Sequence, residues 1–113
     1  MRLRIRKDQK DMKGLLGGHR GVMFTLTARA EISADEQSLI DRYKVGYYTL
    51  ATYTKRGEEF RVSVEGLLRG ISTEAEDIGS LLDLESTIKS GCENLKSLLL
   101  VMATFGGEEV HEI

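Results

Sequence analysis

VMFTLTARAEI, residues 22–32, is the most regular alternation of apolar and polar residues in the chain. Apolar side chains occupy every second position of this segment, and Thr25, Thr27 and Arg29 lie between them. Successive side chains of a strand point to opposite faces of its sheet. The segment therefore predicts a long strand with one buried and one solvated face.

A second alternation precedes this segment, where three arginines flank Leu3 and Ile5. It predicts a strand over about residues 2–7. Residues 8–21 contain four glycines and follow neither the strand period nor the helix period. They predict a turn or a long loop.

Capping and turn residues predict the elements that follow. Ser33 and Glu36 form a capping-box pattern, so we expect a short helix that ends near Tyr43. Residues 45–54 and 60–64 are rich in β-branched and aromatic residues, and the polar connection between them contains one glycine. These two segments predict a β-hairpin.

A long helix is predicted for the C-terminal part of the chain. Residues 72–77 gather acidic and capping residues that favour a helix start. Apolar residues then recur at spacings of three, four and seven until Gly106 and Gly107, which predicts a helix of roughly 30 residues. Gly79 leaves a kinked helix as an alternative, and the sequence leaves open whether residues 108–113 add a last strand.

These elements predict a single α+β domain over residues 1–113. Their order is β-β-α-β-β-α, with an optional terminal strand. Strands that follow one another through short turns usually pair antiparallel, so we expect a mostly antiparallel sheet of four to five strands. The long C-terminal helix is expected to pack on one face of that sheet.

The composition is that of an ordinary globular protein. Hydrophobic residues make up 41% and charged residues 30% of the chain, which excludes the disordered and fibrous classes. The longest apolar run, residues 98–103, is far shorter than a membrane-spanning helix, and polar residues follow the basic residues 1–7 where an export signal has its apolar core. We therefore expect a cytoplasmic protein that does not contact membranes.

The residues capable of chemistry form no recognised catalytic or metal-binding pattern. Cys92 is the only cysteine, which excludes an intramolecular disulfide and a multi-cysteine metal site. Its place beside the apolar stripe of the helix predicts a buried hydrophobic side chain. We expect no catalytic residue, no metal and no cofactor. One hypothesis that these residues leave open is a small enzyme or ligand-binding domain with a pocket near Tyr47, Tyr48 and Tyr53.

Charge is distributed unevenly along this chain of net charge −2. Residues 1–20 carry seven basic and two acidic groups, whereas residues 74–113 carry two basic and nine acidic ones. Alternate arginines on a strand lie about 7 Å apart, comparable with the phosphates along a nucleic-acid strand. Backbone amides of a glycine-rich loop, residues 14–21, could also face an anion. A nucleic-acid or phosphate-binding protein is therefore the alternative hypothesis, although the same charges suit a solvated strand edge. Its expected binding residues are Arg2, Arg4, Arg6, Lys7, Lys13 and Arg20.

The leading hypothesis is a non-enzymatic protein-interaction module. We expect its helix to pack against a second copy in a homodimer, and its sheet or termini to meet a protein partner. Apolar residues surround much of the predicted helix over residues 95–102, whereas a helix on one sheet buries only part of its circumference. The short helix of the same chain or a second copy must cover the rest, and cyclic dimers are the commonest oligomers. The expected interface residues are Leu95, Leu98, Leu99, Leu100, Val101 and Met102.

Overall fold

The described residues form five strands and three helices. The computed structural model describes residues 1–13 and 20–113, with side chains for residues 1–12 and 21–113. The α+β class and the antiparallel pairing of the strands are confirmed. In chain order the elements are β1 (Arg2–Lys13), β2 (Arg20–Glu31), α1 (Ala34–Tyr43), β3 (Thr49–Lys55), β4 (Glu58–Ser63), α2 (Val64–Arg69), β5 (Ile71–Ala75) and α3 (Ile78–Thr104).

Two separate sheets replace the single sheet expected from the sequence. β1, β2 and β5 form a three-stranded sheet in the order β1-β2-β5, and β3 pairs with β4 in a two-stranded sheet. The expectation of one sheet with four to five strands was therefore wrong. β5 pairs with residues 24–28 of β2, so this stretch of the β2 edge is not free for the β3–β4 hairpin.

The chain between the hairpin and the long helix differs most from the sequence prediction. The sequence predicts a strand end near Val64, but the Ser63 hydroxyl accepts a hydrogen bond from the backbone N–H of Gly66 at 2.9 Å and caps α2. β5 then lies where the start of the long helix was predicted. Its pairing with β2 satisfies backbone hydrogen bonds along the strand, and this outweighs the local preference of Thr73 and Glu74 for a helix start.

The long helix is one continuous element from Ile78 to Thr104. The Asp77 carboxylate caps it by accepting a hydrogen bond from the backbone N–H of Gly79 at 2.9 Å. Gly79 therefore lies in the first turn, and the helix runs through it without a break. Of the described residues, 108–113 add no strand.

The hairpin of β1 and β2 extends well beyond the rest of the three-stranded sheet. Residues 8–13 and 20–21 lie in paired strands, so the predicted loop over residues 8–21 was wrong for them. The glycine-rich stretch between them, residues 14–19, lies outside the described residues. With this extended β1–β2 hairpin, the molecule has principal dimensions of 71 × 30 × 19 Å.

The long helix α3 joins the two sheets through one core. Leu84 and Ile88 of α3 are fully buried and belong to the same cluster as Leu26 of β2 and Val62 of β4. The helix and β3 approach very closely at Gly91, which lies against the backbone of Leu50. This packing leaves the opposite side of α3 free.

Within the described ranges, no helix combines the length and the apolarity that crossing a membrane requires. The cytoplasmic location expected from the sequence stays a prediction.

Candidate interaction surfaces

The six residues expected at an oligomer interface divide between the core and the surface. Leu95 and Leu99 are buried in a second cluster with Ile40 of α1 and Val64 of α2. The chain itself therefore covers this side of α3. Met102 is partly buried against the same cluster, whereas the other three expected residues are exposed. The exposed ones are Leu98, Leu100 and Val101.

Three exposed apolar side chains follow one another along a single side of α3. Leu98 and Val101 are three residues apart on one face of the helix, and Phe105, the C-cap residue four positions further on, continues that face. Val101 is 53% exposed and Phe105 is 68% exposed, so the chain leaves this face largely uncovered. Leu100 points about 100° round the helix from Val101 and belongs to a different side. We call the surface formed by Leu98, Val101 and Phe105 the α3 flank.

The α3 flank continues onto the loop before β3. Tyr48 is exposed and lines a small cavity of about 140 Å³ together with Asn94 and Leu98 of the helix. The cavity is bounded on its inner side by Leu50 and Leu95. An aromatic ring beside a shallow apolar cavity is a suitable acceptor for a side chain of another molecule.

The centre of this side of the helix, between Ser90 and Phe105, carries no charged residue. At 3.6 residues per turn, Ser90, Asn94 and Ser97 share the side of the α3 flank. Of the two charged residues of this segment, Lys96 lies on the opposite side of the helix, and Glu93 borders the α3 flank beside Ser97. Depletion of charge at the centre is the compositional mark of protein interfaces.

The six cations expected to bind anions do not all lie together. Arg2, Arg4 and Arg6 are exposed on the face of the three-stranded sheet opposite α3. Lys7 faces the other way, and its Nζ lies 2.8 Å from a carboxylate oxygen of Glu85 in α3. The side chains of the last two, Lys13 and Arg20, lie outside the described residues.

Two arginines that the sequence analysis did not select join the first three. Arg29 of β2 lies directly opposite Arg4 in the strand register. Arg69, at the end of α2, lines an open groove of about 610 Å³ together with Arg4, Arg6 and Arg29. We call the surface formed by Arg2, Arg4, Arg6, Arg29 and Arg69 the arginine face. The alternation of β2 already placed Arg29 on its solvated side, but only the register shows that it meets Arg4.

Hydroxyl groups form the floor of the arginine face. Thr27 and Ser72 lie opposite each other on β2 and β5, and their side-chain oxygens are 3.4 Å apart. Both line the same groove as the guanidinium groups. The side chain of Arg29 packs over Gly70, whose positive φ of 104° suits glycine.

Carboxylates partly neutralise the arginine face. Glu31 accepts hydrogen bonds from both Arg4 and Arg29. The hydrogen bond from Arg29, followed by that from Arg4, holds the pKa of the Glu31 carboxyl below its ordinary value. Arg6 pairs with Asp8 at 2.9 Å, and Arg69 pairs with the carboxylate of Glu65 on the same helix. Exposed pairs of this kind contribute little stability, so they exchange partners readily.

The buried carboxylate of Glu85 is paired with two lysines and stabilises the fold. Glu85 of α3 is 7% exposed and is held by Lys7 and Lys89. Hydrogen bonds from Lys7 and then from Lys89 keep the pKa of the Glu85 carboxyl below its usual value. The ion pair between Lys7 and Glu85 connects β1 to α3 on the side away from the arginine face.

The residues considered for catalysis are scattered. Cys92 is buried, and burial raises the pKa of its thiol, which disfavours the reactive thiolate. Tyr53 stacks on Phe60 with ring centroids 5.3 Å apart, whereas Tyr47 and Tyr48 line different depressions. Among residues 1–12 and 21–113, no three potential metal ligands gather at one place.

Comparisons of this chain with protein-family models, with curated proteins and with solved structures gave no match.

Proposed function

We propose that this protein is a non-enzymatic interaction module that pairs with a second copy of itself through the α3 flank. The observation that carries the proposal is the exposure of Leu98, Val101 and Phe105 beside Tyr48. Four neighbouring apolar side chains that the chain itself leaves open favour an interface. The expected role of Leu95 and Leu99 is replaced in this proposal by a structural one, because both are buried in the core.

A second copy suits the α3 flank because the surface is complementary to itself. In a two-fold dimer, the same patch faces its own copy in the opposite direction. With the axis beside Leu98, Phe105 of one copy lies over the small Ser90 of the other. Large residues opposite small ones allow two helices to pack closely. Because neither Glu93 nor Lys96 lies at the centre of the α3 flank, like charges do not face each other at the axis.

The proposed dimer is weak to moderate in affinity. A stable interface of standard size buries about 800 Å² on each partner. One helix side with an adjoining tyrosine is smaller than that, so we expect a dissociation constant of roughly 1 to 100 μM. Assembly therefore depends on protein concentration.

The test is sedimentation velocity of the full chain from about 1 to about 200 μM, where a dimer of this affinity forms. We expect the sedimenting species to shift from one to two chains. Val101→Glu introduces a charge at the centre of the flank and is expected to abolish the shift. Leu82→Glu is the matched control, because Leu82 lies on another side of the same helix and is 50% exposed, against 53% for Val101.

Two outcomes contradict the proposal. One is a protein that remains monomeric at the highest concentration. The other is a dimer that Val101→Glu leaves intact, or that Leu82→Glu disrupts equally. Thermal unfolding of each variant separates a lost interface from a lost fold.

A further inference from the structure

The arginine face has the composition of a surface that holds phosphates. We infer that it binds the sugar–phosphate backbone of single-stranded nucleic acid, along β1 and without base specificity. This inference is independent of the proposed dimer, because the arginine face and the α3 flank lie on different elements.

The row of alternate arginines on β1 has a spacing that suits a chain of phosphates. Arg2, Arg4 and Arg6 are exposed on one side of β1, and alternate residues of a strand are about 7 Å apart. The row therefore presents three guanidinium groups over about 13 Å. Each guanidinium offers a rigid fork of donors that matches the oxygens of a phosphate.

The groove beside this row adds further hydrogen-bond donors. Arg29 and Arg69 line the groove beside the row, and the hydroxyls of Thr27 and Ser72 form its floor. Arginine and hydroxyl side chains are among the donors that contact nucleic-acid phosphates. The groove is about 610 Å³ and open, so a chain can enter and leave at its ends.

The strand register places like charges against each other. Arg4 and Arg29 are directly opposite, and like-charged residues in that position destabilise a sheet. Among the described residues, one carboxylate, that of Glu31, is hydrogen-bonded to both. A phosphate bound between the two guanidinium groups adds a negative charge that reduces the repulsion between them.

The face contains no stacking platform within the described residues. Its groove is lined by arginines, hydroxyls and the aliphatic residues Ile5 and Ile71, and Glu74 of β5 lies at its far edge. Base stacking on aromatic residues is therefore not available, and recognition depends on the backbone. Binding of this kind tolerates any sequence and weakens steeply with salt.

The test is fluorescence anisotropy of labelled oligo-dT and oligo-rU of about 20 nucleotides, titrated with the full chain in about 25 mM salt. We expect saturable binding to both. If three phosphates are neutralised, the plot of log K against log salt has a slope of about −2. Arg4→Gln combined with Arg29→Gln is expected to weaken binding roughly tenfold.

A matched pair of variants separates the site from general charge. Arg56→Gln combined with Arg61→Gln removes the same charge from the β3–β4 hairpin and is expected to change affinity much less. Glu31→Gln frees both guanidinium groups and is expected to strengthen binding about two- to threefold, more than Glu59→Gln, which removes the carboxylate beside Arg61. Thermal unfolding of Glu31→Gln checks that the gain in affinity belongs to the folded protein.

Three results overturn the inference. The first is an absence of binding at low salt. The second is an equal loss in the two arginine pairs, which indicates only general attraction. The third is that inorganic pyrophosphate competes as well as the oligonucleotides, since the face then holds a small phosphate ligand rather than a nucleic-acid backbone.

Discussion

Gly91 of α3 lies so close to Leu50 of β3 that a Cβ at this glycine would overlap the Leu50 carbonyl oxygen and side chain. The contact sets the distance between the long helix and the second sheet. It explains why a glycine, which costs about 1 kcal/mol relative to alanine in a helix interior, occupies a buried position there.

Gly91→Ala is expected to destabilise the protein by about 2 kcal/mol, because overpacking outweighs the better helix propensity of alanine. Chemical denaturation measures the change in the free energy of unfolding. Ser86→Ala, at an exposed position of the same helix, is the control and is expected to be neutral or slightly stabilising. If Gly91→Ala proves as stable as the wild-type protein, the close approach of α3 and β3 is refuted.

The second prediction concerns pH and the buried carboxylate of Glu85. Its pKa is lowered in the folded state from the ordinary glutamate value of 4.5, first by the hydrogen bond from Lys7 and then by that from Lys89. A lowered carboxyl pKa means that its stabilising contribution is fully present above about pH 4.5. The contribution disappears as the pH falls through the lower, folded pKa.

Glu85→Gln is therefore expected to lose about 1 to 2 kcal/mol of unfolding free energy at pH 7, and progressively less below pH 4.5. Urea denaturation between neutral pH and about pH 3 measures the difference. Glu93→Gln, at an exposed position on the same helix, is the control and is expected to stay within about 0.5 kcal/mol. A difference between wild type and Glu85→Gln that does not shrink in acid contradicts the ion pair.

Local patterns predicted those parts of the fold that depend on neighbouring residues. The capping box of α1 is present as expected: the Glu36 backbone N–H donates to the Ser33 hydroxyl at 3.2 Å, and the Ser33 backbone N–H donates to the Glu36 carboxylate at 3.0 Å. The β3–β4 turn is likewise confirmed, with positive φ at Arg56 and Gly57. Both features lie within a few residues of sequence.

Contacts between distant segments could not be predicted from such local patterns. β5 is a strand because Ile71 pairs with Ala28 of β2, and nothing near Ile71 in the sequence indicates that partner. The same holds for the candidate surfaces. Arg29 belongs to the arginine face because the strand register places it opposite Arg4. Lys7 does not belong to it, because this residue lies on the core side of β1 and pairs with Glu85 of α3. Helix periodicity found the apolar side chains of α3, but only the packing shows which side the chain leaves free.

The last prediction uses a single introduced thiol to locate the symmetry axis of the proposed dimer. If the axis lies beside Leu98, Leu98→Cys brings two thiols close together across the interface. The native Cys92 gives a low background, because it is buried and the raised pKa of its thiol keeps it protonated. A short bismaleimide is therefore expected to link two chains of Leu98→Cys at neutral pH, and denaturing gel electrophoresis measures the yield. Leu82→Cys, on another side of α3, is expected to react with the reagent without linking chains. Equal linking of the two variants would place the contact elsewhere on the helix, whereas linking of Leu98→Cys alone locates the axis on the α3 flank.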